Sequence, residues 1–244
     1  SPSDTTFLLA ITIIMFVAIY ALAIIFLGDK GFNKIQMFFN LLNENAALIV
    51  IACGLTVVMI TGSIDISVGG VTALICTSCI VCLNNYGFNF YSSLLLALAI
   101  GLVFGAFQGF LIAYMEMQPF IVTLAGMFLG RGLVALIEVN QIQVHNEGFE
   151  KLSGSRIQIP FLGDYNKRGV FIQSKLEYGV VVAIIIVIVM YWLLKKTSLG
   201  RKFYAVGGNA QSALMLGINV KKTRFLAHLI CGLLAGIGCR RVPG

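Results

Sequence analysis

The feature that most constrains this chain is a long apolar run from Asn45 to Leu83, which one polar segment interrupts near its middle. The run is about twice as long as the roughly 20 apolar residues that a helix needs to cross a bilayer. The interruption, residues 61–70, reads TGSIDISVGG and carries the run's only charge. The run therefore predicts two short membrane-crossing helices that meet at a polar segment, which we call the break motif.

The break motif contains the first group of candidate functional residues, Gly62, Asp65, Ser67 and Gly69. An Asp at the centre of a membrane helix costs roughly 2.5–3.5 kcal/mol on insertion scales, so Asp65 should face a cavity, a neighbouring helix or water. Glycines permit backbone angles that a regular helix does not use. Broken helices occur at membrane depth where protein or a polar pathway satisfies the freed backbone groups. We expect Asp65 to order this backbone or to take part in gating, in preference to contacting a solute.

The composition extends this interpretation to the whole chain. Hydrophobic residues make up 59% of the 244 positions and charged residues 11%, a balance typical of integral membrane proteins. The pattern predicts an all-α fold, a polytopic transmembrane helical bundle that forms a single domain over residues 1–244. Gly101, Gly105 and Gly109 share one helix face and predict close helix packing. The predicted spans are 7–27, 45–61, 68–83, 93–115, 120–137, 178–194 and 225–239.

The positive charge of the chain is concentrated in residues 195–224, which we call the basic loop. Seven of the 17 basic residues lie there, and the loop has no acidic residue: Lys195, Lys196, Arg201, Lys202, Lys221, Lys222 and Arg224. An excess of Lys and Arg is typical of cytoplasmic loops, so the net charge of +7 does not indicate a nucleic-acid partner. Counting spans back from this loop places the long polar loop 138–177 outside and the N-terminus in the cytoplasm.

A short helix is predicted inside the basic loop. Asn209 is suited to cap its start and Gly217 to end it, since these residue types favour helix termini. The helix exposes Leu214, Met215 and Leu216 between basic flanks. Two interpretations stay open, a docking knob for another protein and an interfacial helix held on the inner leaflet by its lysines.

Arg131 is a second charge within a predicted span. It lies about 18 Å along the axis of the helix that Pro119 opens, at 1.5 Å per residue. A buried Arg131 would need a carboxylate or carbonyl partner, whereas an exposed one could extend to the outer headgroups. Both alternatives stay open.

Three motifs together resemble one family. GLTVVMITGSIDISVG at residues 54–69, PFIVTLAGM at 119–127 with Arg131-Gly132, and Gly200-Arg201 followed by YAVGGN at 204–209 and LGI at 216–218 are similar to the signatures of permease subunits of bacterial monosaccharide ABC importers. The resemblance covers essentially the whole chain. It is strongest to the ribose, galactose and arabinose group and leans toward its galactofuranose-type member.

This resemblance implies a multi-pass protein of the bacterial cytoplasmic (inner) membrane with several partners. They are two cytoplasmic ABC ATPase subunits, a second permease subunit in a homodimer or heterodimer, and an extracytoplasmic sugar-binding protein. It also implies that the helix after Asn209 is the cytoplasmic coupling helix, with Gly207, Gly208, Asn209, Leu214, Leu216 and Gly217 as its residues. Phe120, Thr123 and Arg131, in the second motif, become candidates for the substrate pathway. Family members continue beyond the helix that carries Gly232, so we expect this chain to be truncated at its C-terminus.

The residues themselves do not indicate catalysis. The chain has no phosphate-binding Gly-x-x-x-x-Gly-Lys-Ser/Thr loop and no nucleophile-and-base pattern. Cys76, Cys79 and Cys82 lie at helical spacing without His or a fourth Cys nearby, so we interpret them as packing residues. We therefore expect a transport subunit without cofactor or metal, with ATP hydrolysed by separate subunits. The alternative is an ion-coupled secondary transporter that uses Asp65 as the carrier, since such proteins need intramembrane carboxylates.

Overall fold

The computed structural model describes residues 2–27, 35–137, 156–165 and 171–238. A two-stranded sheet of β1 (Arg156–Tyr165) and β2 (Phe171–Glu177) lies within the predicted outer loop. The helices are α1 (Pro2–Leu27), α2 (Ile35–Ile60), α3 (Val68–Asn85), α4 (Phe90–Ala113), α5 (Pro119–Ile137), α6 (Tyr178–Lys196), α7 (Ser198–Gly208), α8 (Ala210–Met215) and α9 (Val220–Gly238).

The chain divides into two compact units. The first consists of residues 1–43 and 156–176, and the second of residues 44–155 and 177–244. In the first unit, α1 is apolar and exposed along most of its length, as a lipid-facing helix is. Tyr20 stacks on Phe16, with ring centroids 6.2 Å apart, and meets Phe38 edge-on at 6.3 Å. These rings join α1 to the start of α2.

In the second unit, α4 packs most extensively against α9. The contact is made by glycines, because a methyl group added at Gly101 would overlap the carbonyl oxygen of Gly232. One added at Gly105 would lie 2.7 Å from the carbonyl oxygen of His228, and one at Gly236 2.8 Å from that of Ala97. The predicted small-residue face of α4 is therefore confirmed, and it brings two helix backbones into direct contact.

A second glycine contact joins α3 to α5. A Cβ at Gly70 would lie 2.6 Å from the carbonyl oxygen of Met127, and one at Gly130 would lie 2.8 Å from that of Gly70. On its other side α3 packs on α4 through a core of Val71, Ile75, Cys79 and Ala97. Helix α3 is thus held between α4 and α5, and its N-terminus lies within the second unit.

The predicted all-α bundle is confirmed for the membrane part of the chain. Among the described residues, six helices are long and apolar enough to cross a membrane: α1, α2, α3, α4, α5 and α6. Helix α9 is not one of them, because Lys221, Lys222 and Arg224 lie in its first turns. The predicted outer loop contributes the two strands, while its residues 138–155 and 166–170 lie outside the described part.

Two boundaries differ from the predictions. Helix α2 begins at Ile35, well before the predicted start at residue 45, so residues 35–44 are helical although they lie outside the predicted spans. The apolar side chains there follow helical spacing, and the Gln36 amide donates to Asn40 Oδ1 one turn later at 2.8 Å. Much of the basic loop is also helical, since it holds α7, α8 and the start of α9. The predicted end of the last span, residue 239, lies outside the described residues.

Candidate functional site

The break is the non-helical segment between α2 and α3, residues 61–67. Gly62 adopts a φ of 77°, a left-handed conformation that glycine accepts at no steric cost. Thr61 is fully buried and its hydroxyl donates to the Val58 carbonyl at 2.7 Å, while Ser63 N–H donates to the same carbonyl at 3.3 Å. The end of α2 is therefore capped from within the break. Gly69, in contrast, lies inside α3, so the expectation of unusual backbone angles at this glycine is wrong.

Asp65 organises the second half of the break. Its Oδ1 accepts from the Ser67 backbone N–H at 2.9 Å and from the Ser67 hydroxyl at 2.6 Å. A carboxylate that accepts from the N–H two residues on forms an Asx turn, which fixes the chain's entry into a helix. Only 5% of the Asp65 side chain is exposed. Of the three predicted surroundings for Asp65, a cavity, a neighbouring helix or water, the structure supports the neighbouring helix, which is α9.

Ser67 links Asp65 to Gln108 of α4. The Ser67 Oγ lies 2.9 Å from Gln108 Oε1, and Gln108 is buried with its Nε2 unpaired among the described residues. One hydroxyl proton cannot serve two acceptors, and the two ends of an amide are assigned from the hydrogen bonds they make. With the amide turned over, its N–H₂ donates to Ser67 Oγ, and Ser67 donates to Asp65. Gly126 of α5 provides the space, since a methyl group there would overlap the Gln108 amide.

Two side chains of α9 complete this polar cluster. The Cys231 thiol donates to Asp65 Oδ2 at 3.6 Å, and His228 Nδ1 lies 3.9 Å from the same oxygen. The His228 side chain is 1% exposed, and within the described part of the chain neither ring nitrogen has a hydrogen-bond partner. Gly109 of α4 makes room for this ring, because a Cβ there would lie 3.1 Å from His228 Cβ. Asp65 therefore faces a histidine that is close to it but not hydrogen-bonded.

The predicted pathway residues lie in different surroundings. Thr123 is fully buried, and its hydroxyl lies 2.9 Å from the Pro119 carbonyl and 3.3 Å from the Ile64 carbonyl of the break. Phe120 is 48% exposed, and Arg131 is exposed. The structure therefore brings Thr123 to the break and leaves Phe120 and Arg131 on the surface of α5. For Arg131 it supports the exposed alternative.

The basic loop folds as predicted around its short helix. Asn209 Oδ1 accepts from Ser212 N–H at 2.9 Å and caps α8, and Gly217 ends it with a φ of 79°. Leu214, Met215 and Leu216 are 63%, 81% and 78% exposed, whereas Ala213 is buried. Helix α8 therefore carries an exposed apolar tip on a backbone fixed at both ends.

Helix α7 connects the basic loop to the break, a contact that the sequence did not predict. Thr197 caps α7 by accepting from Gly200 N–H at 3.2 Å, and Phe203 and Val206 are buried. At its end, a methyl group at Gly207 would overlap the carbonyl oxygen of Ile60, the last residue of α2. Gly208 meets open space instead. Of the two adjacent glycines, Gly207 alone contacts the membrane helices.

Sequence reasoning missed His228 and Gln108. The predicted span 225–239 puts His228 near its head, but α9 starts at Val220, since Asn219 Oδ1 accepts from Lys222 N–H at 2.9 Å and caps the helix. The earlier start puts His228 two turns inside the helix, beside Asp65. The available signal was Asn219, a preferred N-cap residue before a helical segment.

A family model described as "Branched-chain amino acid transport system / permease component" matches residues 37–239. The match includes the break motif, both glycine-packed helix contacts and the basic loop. The chain belongs to this permease family.

Three relatives give the similarity in detail. The inner membrane ABC transporter permease protein YjfF of Escherichia coli (strain K12) is 33% identical over 210 residues, 85% of this chain and 60% of that protein. The fructose import permease protein FruF of Bifidobacterium longum (strain NCC 2705) is 36% identical over 198 residues, 81% of this chain and 52% of that protein. The autoinducer 2 import system permease protein LsrC of Yersinia pestis is 31% identical over 209 residues, 86% of this chain and 55% of that protein.

This permease thus spans 52–60% of the length of these three relatives. No solved structure matches it. Family membership confirms the predicted class, a transport component rather than an enzyme, and with the six apolar helices it confirms a multi-pass protein of the inner-membrane type. The alternative of an ion-coupled secondary transporter gains no support from relatives that carry the name of ABC permeases.

Proposed function

We propose that this permease provides the path for a monosaccharide through the cytoplasmic membrane in an ATP-driven importer, and that an ATPase subunit drives it by docking on α8. The observation that carries the proposal is the exposed tip of α8 within a loop that has no acidic residue. The name of one relative, a fructose import permease protein, supports a monosaccharide as the solute. The galactofuranose-type preference stays a prediction.

The shape of α8 favours a protein partner over a leaflet-bound helix. An interfacial helix places its apolar residues along one face, at spacings of three and four. Leu214, Met215 and Leu216 are consecutive, so at 100° per residue they spread over about 200° at the end of the helix and form a knob. A knob of this kind fits a pocket. The exposed Arg201, Lys202 and Lys222 of the same loop favour an acidic rim on the partner.

The other partners follow from the same class of transporter. A second permease subunit, identical or related, completes the path, and an extracytoplasmic sugar-binding protein delivers the solute. The ATPase side requires residues 195–224 in the cytoplasm, which by counting spans puts the N-terminus there and the loop 138–177 outside. In this scheme ATP binding at the partner moves α8 and shifts the bundle between two states.

Within this function the residues divide into two groups. Asp65, with Gly62 and Ser67, keeps the break ordered while the bundle changes state, and Thr123 supports the break from α5. Phe120 and Arg131 lie on one face of α5, three turns apart, and both are exposed on the single chain. We assign them to the wall of the path, where a weak site for sugar hydroxyls would be made with the second subunit.

The experiment that tests docking is co-purification of the ATPase with the double variant Leu214→Asp, Leu216→Asp. Two carboxylates on the knob should abolish co-purification and ATP-driven uptake, because they remove the apolar contact and face an acidic rim. Met117→Asp is the matched control, since Met117 is an apolar residue 41% exposed in the α4–α5 connection. The variant with both aspartates should reach the membrane in normal amount. Undiminished co-purification of this variant would remove the docking assignment.

A separate measurement tests the energy source. Uptake into cells should stop when ATP is depleted and continue when an uncoupler dissipates the ion gradient. The opposite result, uptake that follows the gradient, would favour the ion-coupled alternative with Asp65 as carrier.

A further inference from the structure

Two helices reach the break, α7 of the basic loop and α9, which begins in that loop and continues beyond it. At the α2 end, Gly207 of α7 contacts the Ile60 carbonyl directly. At the α3 end, His228 and Cys231 of α9 approach the Asp65 carboxylate. The break is therefore contacted from two sides, by the end of α7 and by the part of α9 that follows the basic loop.

Helix α9 is uninterrupted from its start, close to the end of α8, to the residues that face Asp65. It begins at Val220, a short turn after Gly217 ends α8, and its start is fixed by Asn219, whose backbone carbonyl also accepts from the Thr223 hydroxyl at 2.8 Å. His228 follows two turns later. A displacement of the start of α9 along its own axis would thus reach His228, because a helix is stiff along its axis.

The surface along which α9 would move has few obstructing side chains. Gly101, Gly105 and Gly109 of α4 face Gly232 and His228, and Gly54 of α2 faces Cys231, where a Cβ would lie 3.1 Å from the Cys231 Cα. Backbones in contact without interdigitated side chains can shift lengthwise by small amounts. An approach of about 1 Å between His228 Nδ1 and Asp65 Oδ2 would bring them from 3.9 Å to ordinary hydrogen-bond distance.

The unpaired state of His228 gives this shift a driving force. A buried polar group without a partner loses the hydrogen bonds it would make in water, and each orphaned group costs on the order of 1–3 kcal/mol. Both ring nitrogens are in that condition in the described part of the chain. A conformation in which Nδ1 donates to Asp65 removes one of these costs, so a small movement of α9 toward Asp65 would be favoured at this residue.

We infer that His228 is a positioning residue that transmits movement of α8 to the break by making and breaking a hydrogen bond from Nδ1 to Asp65. The inference rests on the proposed function, because it needs an ATPase that moves α8. It assigns to His228 a part in coupling ATP hydrolysis to transport, and to Asp65 a second role beside the Asx turn. The residue contacts no solute in this role.

The test compares His228→Asn with His228→Gln in the assembled transporter, with its ATPase and binding protein. The Asn amide nitrogen can occupy the place of Nδ1, and the Gln amide nitrogen that of Nε2, while both variants bury one neutral amide. The Asn variant should keep sugar uptake per ATP hydrolysed near the wild-type value. The Gln variant should hydrolyse ATP but lose about tenfold in uptake per ATP, the factor that corresponds to one hydrogen bond.

Two further variants sharpen the comparison. His228→Leu removes the orphaned nitrogens and keeps the volume, so a purely packing role predicts uptake at or above wild type, whereas the inference predicts the same loss as Gln. Adding Asp65→Asn to His228→Leu should reduce uptake no further than the worse single variant, because the two residues act as one pair.

Several outcomes would overturn the inference. They are equal uptake per ATP in the Asn and Gln variants, additive losses in the double variant, and failure of both amide variants to assemble, which would make the ring a packing element. ATPase co-purification with the wild-type permease is recorded in the same experiment. If the wild type itself neither binds the ATPase nor transports with ATP, the proposed function fails. If the wild type does both, the outcomes above contradict only the role assigned to His228 and leave the proposed function intact.

Discussion

Gly207 faces the carbonyl oxygen of Ile60 so closely that a methyl group on its Cα would occupy the same space. The contact places the end of α7 directly on the end of α2, where the break begins. Gly208, the next residue, meets nothing within 4 Å of an added Cβ. The two neighbouring glycines therefore provide a matched pair of positions for alanine substitution, one in contact with α2 and one not.

Gly207→Ala should weaken the contact between the basic loop and the break. The overlap forces α7 away from Ile60, and overpacking of this kind typically costs about 1–3 kcal/mol. Gly208→Ala should be neutral or slightly stabilising, since Ala is the better helix residue. The measurement is the thermal unfolding midpoint in detergent together with ATP-driven uptake. Equal behaviour of the two alanine variants would contradict the contact.

Gly232→Ala should separate α4 from α9. The added methyl would overlap the Gly101 carbonyl and lie 2.9 Å from the Gly105 Cα, and backbone atoms cannot rotate away as a side chain can. We expect a loss of about 1–3 kcal/mol in stability. Gly132→Ala on α5, where an added Cβ meets nothing within 4 Å, is the control and should leave the midpoint unchanged. A midpoint for Gly232→Ala as high as that of the control would exclude close packing here.

Asp65→Ala should destabilise the break more than Asp65→Asn. Alanine leaves the Ser67 N–H and hydroxyl without their acceptor, at a cost of about 1–3 kcal/mol for buried groups. The Asn side-chain oxygen can accept both bonds, so the Asn variant should fold close to the wild type while it loses the charge that faces His228. Its uptake should therefore be impaired although its unfolding midpoint is nearly kept. Normal transport by Asp65→Asn would exclude a role for the carboxylate.

Substitution of Glu116, which lies in the connection between α4 and α5, tests the ion pair between this connection and α9. Its carboxylate lies 2.7 Å from Lys221 Nζ of α9, and the hydrogen bond and charge of that lysine hold the pKa of Glu116 below its ordinary value. A lowered carboxyl pKa adds stability above the unfolded-state pKa, and this contribution disappears as the pH falls through the folded-state pKa. Both side chains are exposed, so Glu116→Gln should lower the unfolding midpoint only slightly at neutral pH and not at all in acid.

A second substitution at this position separates the effect of the ion pair on stability from the effect of the backbone conformation. Glu116 has a φ of 57°, a left-handed conformation that is unfavourable for any residue with a Cβ. Glu116→Gly removes the ion pair but relieves the backbone, so its midpoint should lie above that of Glu116→Gln. The reverse order would mean that the ion pair matters more than the conformation.

The main architecture was predictable because it depends on local patterns. Long apolar runs determine spanning helices, and the break at Asp65 follows from one polar interruption in such a run. The capped helix from Asn209 to Gly217 follows from residue types that favour helix ends. These features need no knowledge of distant residues.

The polar cluster could not be predicted because it depends on helix pairing. Asp65, Gln108 and His228 are far apart in sequence, and each looks isolated until α4 and α9 are placed around the break. The glycines at 101, 105 and 109 predicted that α4 packs closely but did not say against which helix. The two strands at 156–177 escaped prediction because their mixed composition lacks a clear alternation.

Helix α9 has a consequence for how the protein enters the membrane. It is only weakly hydrophobic, so the insertion machinery should insert it poorly by itself. Its first half contains Lys221, Lys222, Arg224 and His228, and its second half contains three glycines. Its glycines Gly232 and Gly236, however, pack directly against the α4 backbone. We therefore expect α4 to insert into the bilayer first and α9 to pack onto it afterwards. A substitution that disrupts the glycine face of α4 should then also prevent the insertion of α9.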